Sequence, residues 1–214
     1  MHIPDGFLSP QTWLPGYAVC AGLWYVGGRR LKASLDEDSL PYLATFTALS
    51  FVLMMIALPL PGGSTAHAAG IALLAVAFGV WTAFLAVSLV LAMQALLFGD
   101  GGITALPINA LAMGLAGGLT GYWSWRALRR WNETLALFAA GWLSVLVAAA
   151  LVATVLGIQP LIAHDDGGRP LFFPFGLAVT LPAVLLPHAL IGIGEGLLTV
   201  MGYRYLKRLR ASAG

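Results

Sequence analysis

Long apolar runs, divided by short breaks, are the feature of this sequence that most restricts its fold. Hydrophobic residues make up 59% of the chain and charged residues 9%, whereas soluble domains carry about a quarter charged residues. A run of about 20 apolar residues can cross the hydrocarbon core of a bilayer as a helix. The sequence therefore predicts an all-α, polytopic membrane protein that lies in the lipid bilayer and binds no nucleic acid.

Proline and glycine mark the breaks between the predicted helices. Pro59, Pro61, Gly62 and Gly63 end the second apolar run, because proline removes a backbone donor and glycine loosens the chain. As one helix, the stretch 68–98 would be about 46 Å long, between one crossing and two. We expect two short helices there that meet near Gly79. The sequence predicts one transmembrane domain, 1–214, with seven helices at 8–26, 41–60, 68–79, 81–98, 106–125, 134–156 and 175–203.

The basic residues predict which helix ends face the cytoplasm. Ten of the eleven Lys and Arg residues follow apolar runs in three clusters, at 29–32, 126–130 and 204–210. Cytoplasmic loops of membrane proteins carry an excess of Lys and Arg. With all three clusters inside, the amino terminus and His67 are predicted to lie outside and the carboxyl terminus inside.

The first seven residues form a candidate chelating segment, 1–7. No basic segment precedes the first apolar run, so we expect no cleavable signal peptide and a native amino terminus. The Met1 amine, the His2 amide and the His2 imidazole would then close a five-membered and a six-membered chelate ring. A nitrogen of His67 would complete a planar set of four nitrogens, which suits Ni²⁺ or Cu²⁺ and can be imposed on Co²⁺.

Four stretches of the chain carry a resemblance to a known family. Residues 1–8 read Met-His-Ile-Pro-Asp-Gly-Phe-Leu, and residues 62–67 read Gly-Gly-Ser-Thr-Ala-His. Residues 94–102 end in Gly-Asp-Gly-Gly, and residues 187–196 begin Pro-His-Ala-Leu. In this order they resemble the CbiM/NikM family, the substrate-binding S-components (permease subunits) of energy-coupling factor ABC transporters for cobalt and nickel.

The resemblance implies a function and a set of metal ligands. It implies that Met1, His2 and His67 hold Ni²⁺ or Co²⁺ as the transported substrate, captured with high affinity on the outer face. It places the protein in the bacterial inner membrane, in a system that can supply cobalamin biosynthesis. Which of the two ions is carried stays open.

Energy for transport is expected to come from partner proteins. The only lysines are Lys32 and Lys207, and neither lies in the Gly-rich loop that binds nucleotide phosphates. The resemblance implies a transmembrane coupling subunit, ATPase subunits and, in some systems, a small accessory membrane subunit. No enzymatic activity is expected of this chain, and the His-Glu-x-x-His pattern of zinc enzymes is absent.

Other polar residues within the apolar runs allow a different interpretation. His188 and Glu195 are seven residues apart, so they share one helix face, and ionisable groups inside a membrane are usually functional. They could relay an ion in a self-sufficient carrier or channel, or form a structural pair between helices. Gln94 and Asn109 are interpreted as polar contacts between helices, and the segment 164–169 as a solvated outer loop or an ion trap.

Small residues at helical spacing can let helices approach closely. Ala44 and Ala48 lie on the second predicted helix, and Gly114, Gly118 and Gly121 lie on the fifth. Each set could pack inside the protein or dock a membrane partner. We expect Ala44 and Ala48 to form the docking face.

Overall fold

The computed structural model describes residues 2–34, 36–60 and 64–213, and most of them are helical. A short antiparallel hairpin of two strands, β1 and β2, follows the second helix and pairs Leu58 with Ala66. Two π-helical turns, Gln94–Phe98 and Ala110–Gly117, extend α4 and join α5 to α6. The elements are α1 (Pro10–Ser34), α2 (Leu40–Met55), β1 (Leu58–Leu60), β2 (Ser64–Ala66), α3 (Ile71–Phe78), α4 (Val80–Met93), α5 (Leu106–Asn109), α6 (Gly118–Leu128), α7 (Glu133–Gly157), α8 (Gln159–Ile162) and α9 (Leu177–Ala213).

The helices have the length and composition of a membrane protein. Within the described residues, three helical stretches are long and apolar enough to cross a bilayer, Val80–Phe98, Glu133–Ile162 and Leu177–Ser212. α2 is apolar but shorter. The mostly helical membrane fold is therefore confirmed, whereas the count of seven crossings and their orientation stay predictions.

Several helix ends differ from the predicted ones. α1 continues past residue 26 to Ser34, and α9 continues past residue 203 to Ala213, because Arg and Lys are good helix formers and extend a helix beyond its apolar part. α2 ends at Met55 instead of residue 60. Leu58–Leu60 instead form β1, where the missing backbone N–H of Pro59 is tolerated.

The third predicted helix is shorter than the sequence indicated. It was expected over 68–79, but α3 covers only Ile71–Phe78, about 12 Å of helix. Residues 67–70 lead into it as non-helical chain. Because Ile71–Val76 are all buried, this segment is surrounded by protein, the setting in which irregular backbone is tolerated at membrane depth. The expected break lies at Gly79, between α3 and α4.

The glycines of the fifth predicted helix pack inside the protein. A Cβ on Gly121 would lie 2.8 Å from Ala72 Cβ, and one on Gly114 would lie 3.2 Å from Phe84. Gly118 lies in ordinary contact range of Ala75. The suggestion that this face docks a partner is therefore wrong, since α3 and α4 already cover it.

The three basic clusters gather at one end of the helix bundle. Arg30 of α1 lies over the Trp81 ring at 5.1 Å, and Arg210 of α9 lies over Phe78 at 5.6 Å. Arg129 stacks on Trp125 at 4.6 Å, and that ring contacts Tyr203 of α9. The chain's first residues lie beside the loop that follows α4, and His67, directly after the hairpin, contacts His2.

Candidate metal site

His2 and His67 lie against each other inside the protein. Their ring centroids are 4.4 Å apart, and the planes are tilted by 45°. The side chains are only 3% and 2% exposed, so the pair is buried within the protein. Met1, the third predicted ligand, lies outside the described residues.

Asn109 fixes the backbone directly after His2. Its Oδ1 accepts a hydrogen bond from Ile3 N at 3.0 Å, and its Nδ2 donates to Ile3 O at 3.1 Å. Asn109 is the last residue of α5, just before a π-helical turn. One amide side chain thus binds both backbone groups of Ile3, as a neighbouring strand would, and holds the first residues against the helices. Its role is therefore to anchor the amino-terminal segment rather than to join two helices.

Asp5 makes a second anchor for the same segment. Its carboxylate accepts hydrogen bonds from Ile103 N at 3.1 Å, Thr104 N at 2.8 Å and Thr104 Oγ1 at 2.5 Å. Gly102 allows this close approach, because a Cβ there would lie 2.5 Å from Asp5 N. The Gly-Asp-Gly-Gly stretch therefore forms a loop shaped to receive the amino-terminal segment.

Asp100, from the same loop, faces the His2 ring. Its Oδ2 lies 3.2 Å from His2 Nδ1, within ion-pair distance but without hydrogen-bond geometry. The neighbouring His2 ring lowers the pKa of Asp100, which is partly exposed. A carboxylate therefore stands beside the nitrogen that the predicted chelate requires.

His67 follows β2 and keeps one ring nitrogen free. Its Nδ1 lies 3.2 Å from the Ala68 carbonyl oxygen, which can only accept, so Nδ1 carries the proton and Nε2 the lone pair. Burial lowers the pKa of His67 well below its usual value. It lowers the pKa of His2 as well, although the contact with Asp100 raises it in part. Both rings are therefore neutral at physiological pH, as metal ligands must be.

Glu195 and His188 do not pair with each other. The Glu195 carboxylate accepts hydrogen bonds from Gly70 N at 3.0 and 3.1 Å and from Ala69 N. His188 Nδ1 donates to Val184 O of its own helix at 2.7 Å, and its Nε2 is buried without a partner. The two side chains of the proposed relay pair on α9 thus bind different backbone groups and do not contact each other.

The remaining candidates make contacts with other parts of the protein. Gln94 is fully buried, with a long contact of 3.5 Å from Nε2 to Phe51 O and an unpartnered Oε1. In the loop 164–169, Asp165 binds the backbone N–H groups of Gly167 and Arg169, as a turn residue does. Ala44 and Ala48 line an apolar groove of about 500 Å³ between α2 and α4.

Side chains alone do not complete a metal site in the described part of the chain. No group of three or more His, Cys, Asp or Glu side chains there is arranged to hold a metal ion. Both nitrogens of His2 and the Nε2 of His67 are buried without hydrogen bonds. A buried polar atom without a partner costs about 1–3 kcal/mol, and a bound cation would remove that cost. Two imidazoles supply half of a four-nitrogen set, and backbone nitrogens would have to supply the rest.

The sequence interpretation missed three residues around this pair. Asp100 and Ser50 were not predicted near it, and Asn109 was assigned to helix packing. The Gly-Asp-Gly-Gly stretch was a signal for Asp100, since two glycines beside a carboxylate indicate a close backbone approach. Ser50 lies in an apolar run and gave no such signal.

The chain is similar to known metal transport proteins. Residues 2–213 match the model of the CbiM family, described as the cobalt uptake substrate-specific transmembrane region. The chain is 41% identical over 213 residues to the probable fused nickel transport protein LarMN of Lactiplantibacillus plantarum, a match that covers 98% of this chain and 65% of that protein. It thus spans less than two thirds of that relative. The cobalt transport protein CbiM of Acetoanaerobium sticklandii is 33% identical over 218 residues, covering 100% of this chain and 87% of that protein.

A solved structure has the same fold. The crystal structure of a truncated transition metal transporter superposes with a TM-score of 0.93 at 39% sequence identity. The match covers 97% of this chain and 99% of that one. The helix arrangement described above is therefore similar to that of a solved transition metal transporter.

Proposed function

Because this chain belongs to the CbiM family of cobalt uptake substrate-specific transmembrane regions, we propose that it captures Ni²⁺ or Co²⁺ on the outer face of the bacterial inner membrane. The family is a metal transport component and not a catalytic enzyme. The ion is the cargo, and an energy-coupling factor ABC transporter takes it up at the expense of ATP.

The contact between His2 and His67 is the observation that carries this proposal. Two buried, neutral imidazoles 4.4 Å apart keep their lone pairs free of protein partners. Imidazole is a suitable ligand for Ni²⁺ and related ions. Nothing else among the residues from His2 onward that the structure describes groups two imidazoles in this way.

The ligand set that we propose combines these rings with backbone nitrogens. The Met1 amine, the His2 amide and His2 Nδ1 form two fused chelate rings, and His67 Nε2 closes a planar set of four. When the ion binds His2 Nδ1, the Asp100 carboxylate no longer contacts this nitrogen and lies beside the ion instead. A divalent ion, one deprotonated amide and one carboxylate sum to zero charge, which lowers the cost of holding the ion in a buried site.

Coupling to ATP hydrolysis requires partner subunits. We propose that a transmembrane coupling subunit docks on the groove beside Ala44 and Ala48, which is apolar and open, and that ATPase subunits bind to that partner. A small accessory membrane subunit completes some such systems. The basic end of the bundle faces the cytoplasm in this arrangement, so the amino terminus lies outside.

A self-sufficient carrier that uses His188 and Glu195 is less well supported. Both Glu195 oxygens are occupied by backbone N–H groups, so they have little capacity left to bind an ion. His188 contributes a single free nitrogen.

Titration of the purified protein with Ni²⁺ and with Co²⁺ tests the proposal. The native protein should bind one ion per chain, and His67→Ala should bind it much more weakly because water replaces one nitrogen. His164→Ala is the matched control, because His164 is exposed and should not alter the affinity. Equal affinities for the native protein and His67→Ala would contradict the proposed site.

A further inference from the structure

We infer that Glu195 of α9 and Ser50 of α2 are positioning residues that set the place of the His67 ligand. This inference rests on the proposed function, since it assumes that His67 binds the ion. Neither side chain contacts the ion itself. Both act on the Ala69–Gly70 backbone, two residues after His67.

Both carboxylate oxygens of Glu195 accept hydrogen bonds from this backbone. The side chain is 2% exposed, and its two oxygens accept hydrogen bonds from Ala69 N and Gly70 N. These N–H groups directly precede α3, where the helix dipole also favours a negative charge. No Lys or Arg within residues 2–34, 36–60 and 64–213 forms a salt bridge with Glu195. The carboxylate is therefore placed to hold this turn.

Ser50 holds the other side of the same peptide segment. Its Oγ, 1% exposed, donates a hydrogen bond of 2.6 Å to Ala69 O. Ala69 thus has its N–H bound by α9 and its carbonyl bound by α2. Gly70 next to it has a φ of +65°, a conformation that glycine adopts without strain. The turn at Ala69–Gly70 is therefore held by hydrogen bonds from two helices and by the backbone conformation of Gly70.

The path of this turn decides where His67 points. Residues 67–70 are not helical, so no ladder of backbone bonds fixes them. The hydrogen bond that the structure describes for the His67 ring is with the neighbouring Ala68 carbonyl, which moves with it. The separation between His67 Nε2 and His2 therefore depends on the hydrogen bonds that Glu195 and Ser50 make to this turn. In an apolar interior such bonds are strong and costly to lose.

A purely structural role for Glu195 and Ser50 would give the same contacts, so the test must distinguish a structural role from a positioning role. Glu195→Met removes both acceptors at similar volume, Glu195→Gln keeps one, and Ser50→Ala removes the donor. Each is measured by calorimetric titration with Ni²⁺, once in the native background and once in His67→Ala, which retains three of the four nitrogens. Thr180→Val and Thr45→Ala are matched controls, because these hydroxyls bind carbonyls of their own helix or the residues next to it.

A positioning role predicts a strongly non-additive result. In the native background, Glu195→Met and Ser50→Ala should weaken Ni²⁺ binding about 10- to 100-fold, as for other supports of metal ligands. Glu195→Gln should fall between Glu195→Met and the native protein. In His67→Ala none of the three should weaken it further, because the ligand they position is gone. The absorption spectrum of bound Ni²⁺ should also change in Glu195→Gln and not in Thr180→Val.

Two results would overturn the inference in distinguishable ways. If His67→Ala weakens binding and the Glu195 and Ser50 variants weaken it equally in both backgrounds, or not at all, then these residues do not act through His67. If His67→Ala leaves the affinity unchanged, then the proposed ligand set itself fails, and the positioning role fails with it.

Discussion

His2 and His67 bring neutral rings to the site because burial lowers the pKa of each. Each ring therefore lacks, near neutral pH, the second proton that would make it cationic, whereas a backbone amide keeps its proton until a metal displaces it. Metal and protons compete for the same nitrogens. The affinity for Ni²⁺ should rise with pH, and binding should release at least about one proton per ion. Titration in buffers of different ionisation enthalpy measures this release, and binding without it would exclude the His2 amide as a ligand.

Asn109 should matter for binding although it contacts no ion. Asn109→Leu removes both bonds to Ile3 and frees the segment that carries His2, so the affinity for Ni²⁺ should fall about 10- to 100-fold. Asn132→Ala is a suitable control, because Asn132 also binds a backbone N–H, that of Leu135, but at the start of α7. It should cost about 1 kcal/mol of stability with no change in affinity. An unchanged affinity in Asn109→Leu would show that Asp5 and Asp100 anchor the segment without it.

The residues of the site were only partly predictable from the sequence. The sequence predicts that His2 and His67 lie together, because His2 follows the first residue and the family resemblance implies His67 as its partner. Asp100, Ser50 and the anchoring role of Asn109 were not predicted, because their importance comes from contacts between positions far apart in the chain. Asn109 and Ile3 are 106 residues apart, and Ser50 and Ala69 are 19 apart. Hydropathy and spacing carry no information on such pairs.

Among the elements, α2 carries the surface that we propose for the coupling partner. Leu43, Phe46, Ser50 and Met54 of α2 face inward, which leaves Ala44 and Ala48 exposed on the groove. Ala44→Leu together with Ala48→Leu should keep a partner helix from close approach. The double variant should bind Ni²⁺ normally but lose uptake in cells.

A matched double variant on α1 controls for added bulk in the membrane. Ala18 and Ala21 are exposed but do not line the groove, so Ala18→Leu with Ala21→Leu should leave uptake intact. If the Ala44 and Ala48 variant still copurifies with the coupling subunits and transports the ion, the docking surface lies elsewhere.

Helices were predicted well where hydrophobicity alone decides the structure and less well where polar contacts decide it. α4, α7 and α9 follow from their long apolar runs. α3 begins three residues later than predicted, because Glu195 and Ser50 bind the backbone of Ala69 and Gly70 in a non-helical turn. These three residues are apolar or small, and nothing in their sequence distinguishes the turn from the first turn of a helix.

The whole molecule has two different ends, and the sequence predicts which of them faces the cytoplasm. The basic clusters lie together around Trp81, Phe78 and Tyr203. A reporter domain fused after Arg210 should therefore be active in the cytoplasm, and one inserted at residue 166 should be active outside. The reverse pattern would contradict the orientation with the amino terminus outside.

The proposed site of capture depends on the very start of the chain, and that dependence can be tested directly. One Gly added before Met1 moves the amine out of the chelate but leaves every side chain in place. Calorimetric titration with Ni²⁺ and Co²⁺ of this variant and of the unextended protein is the decisive comparison. High-affinity binding should be lost in the extended protein while its thermal stability without metal stays the same. Equal affinities in the two proteins would contradict a site built from Met1, His2 and His67.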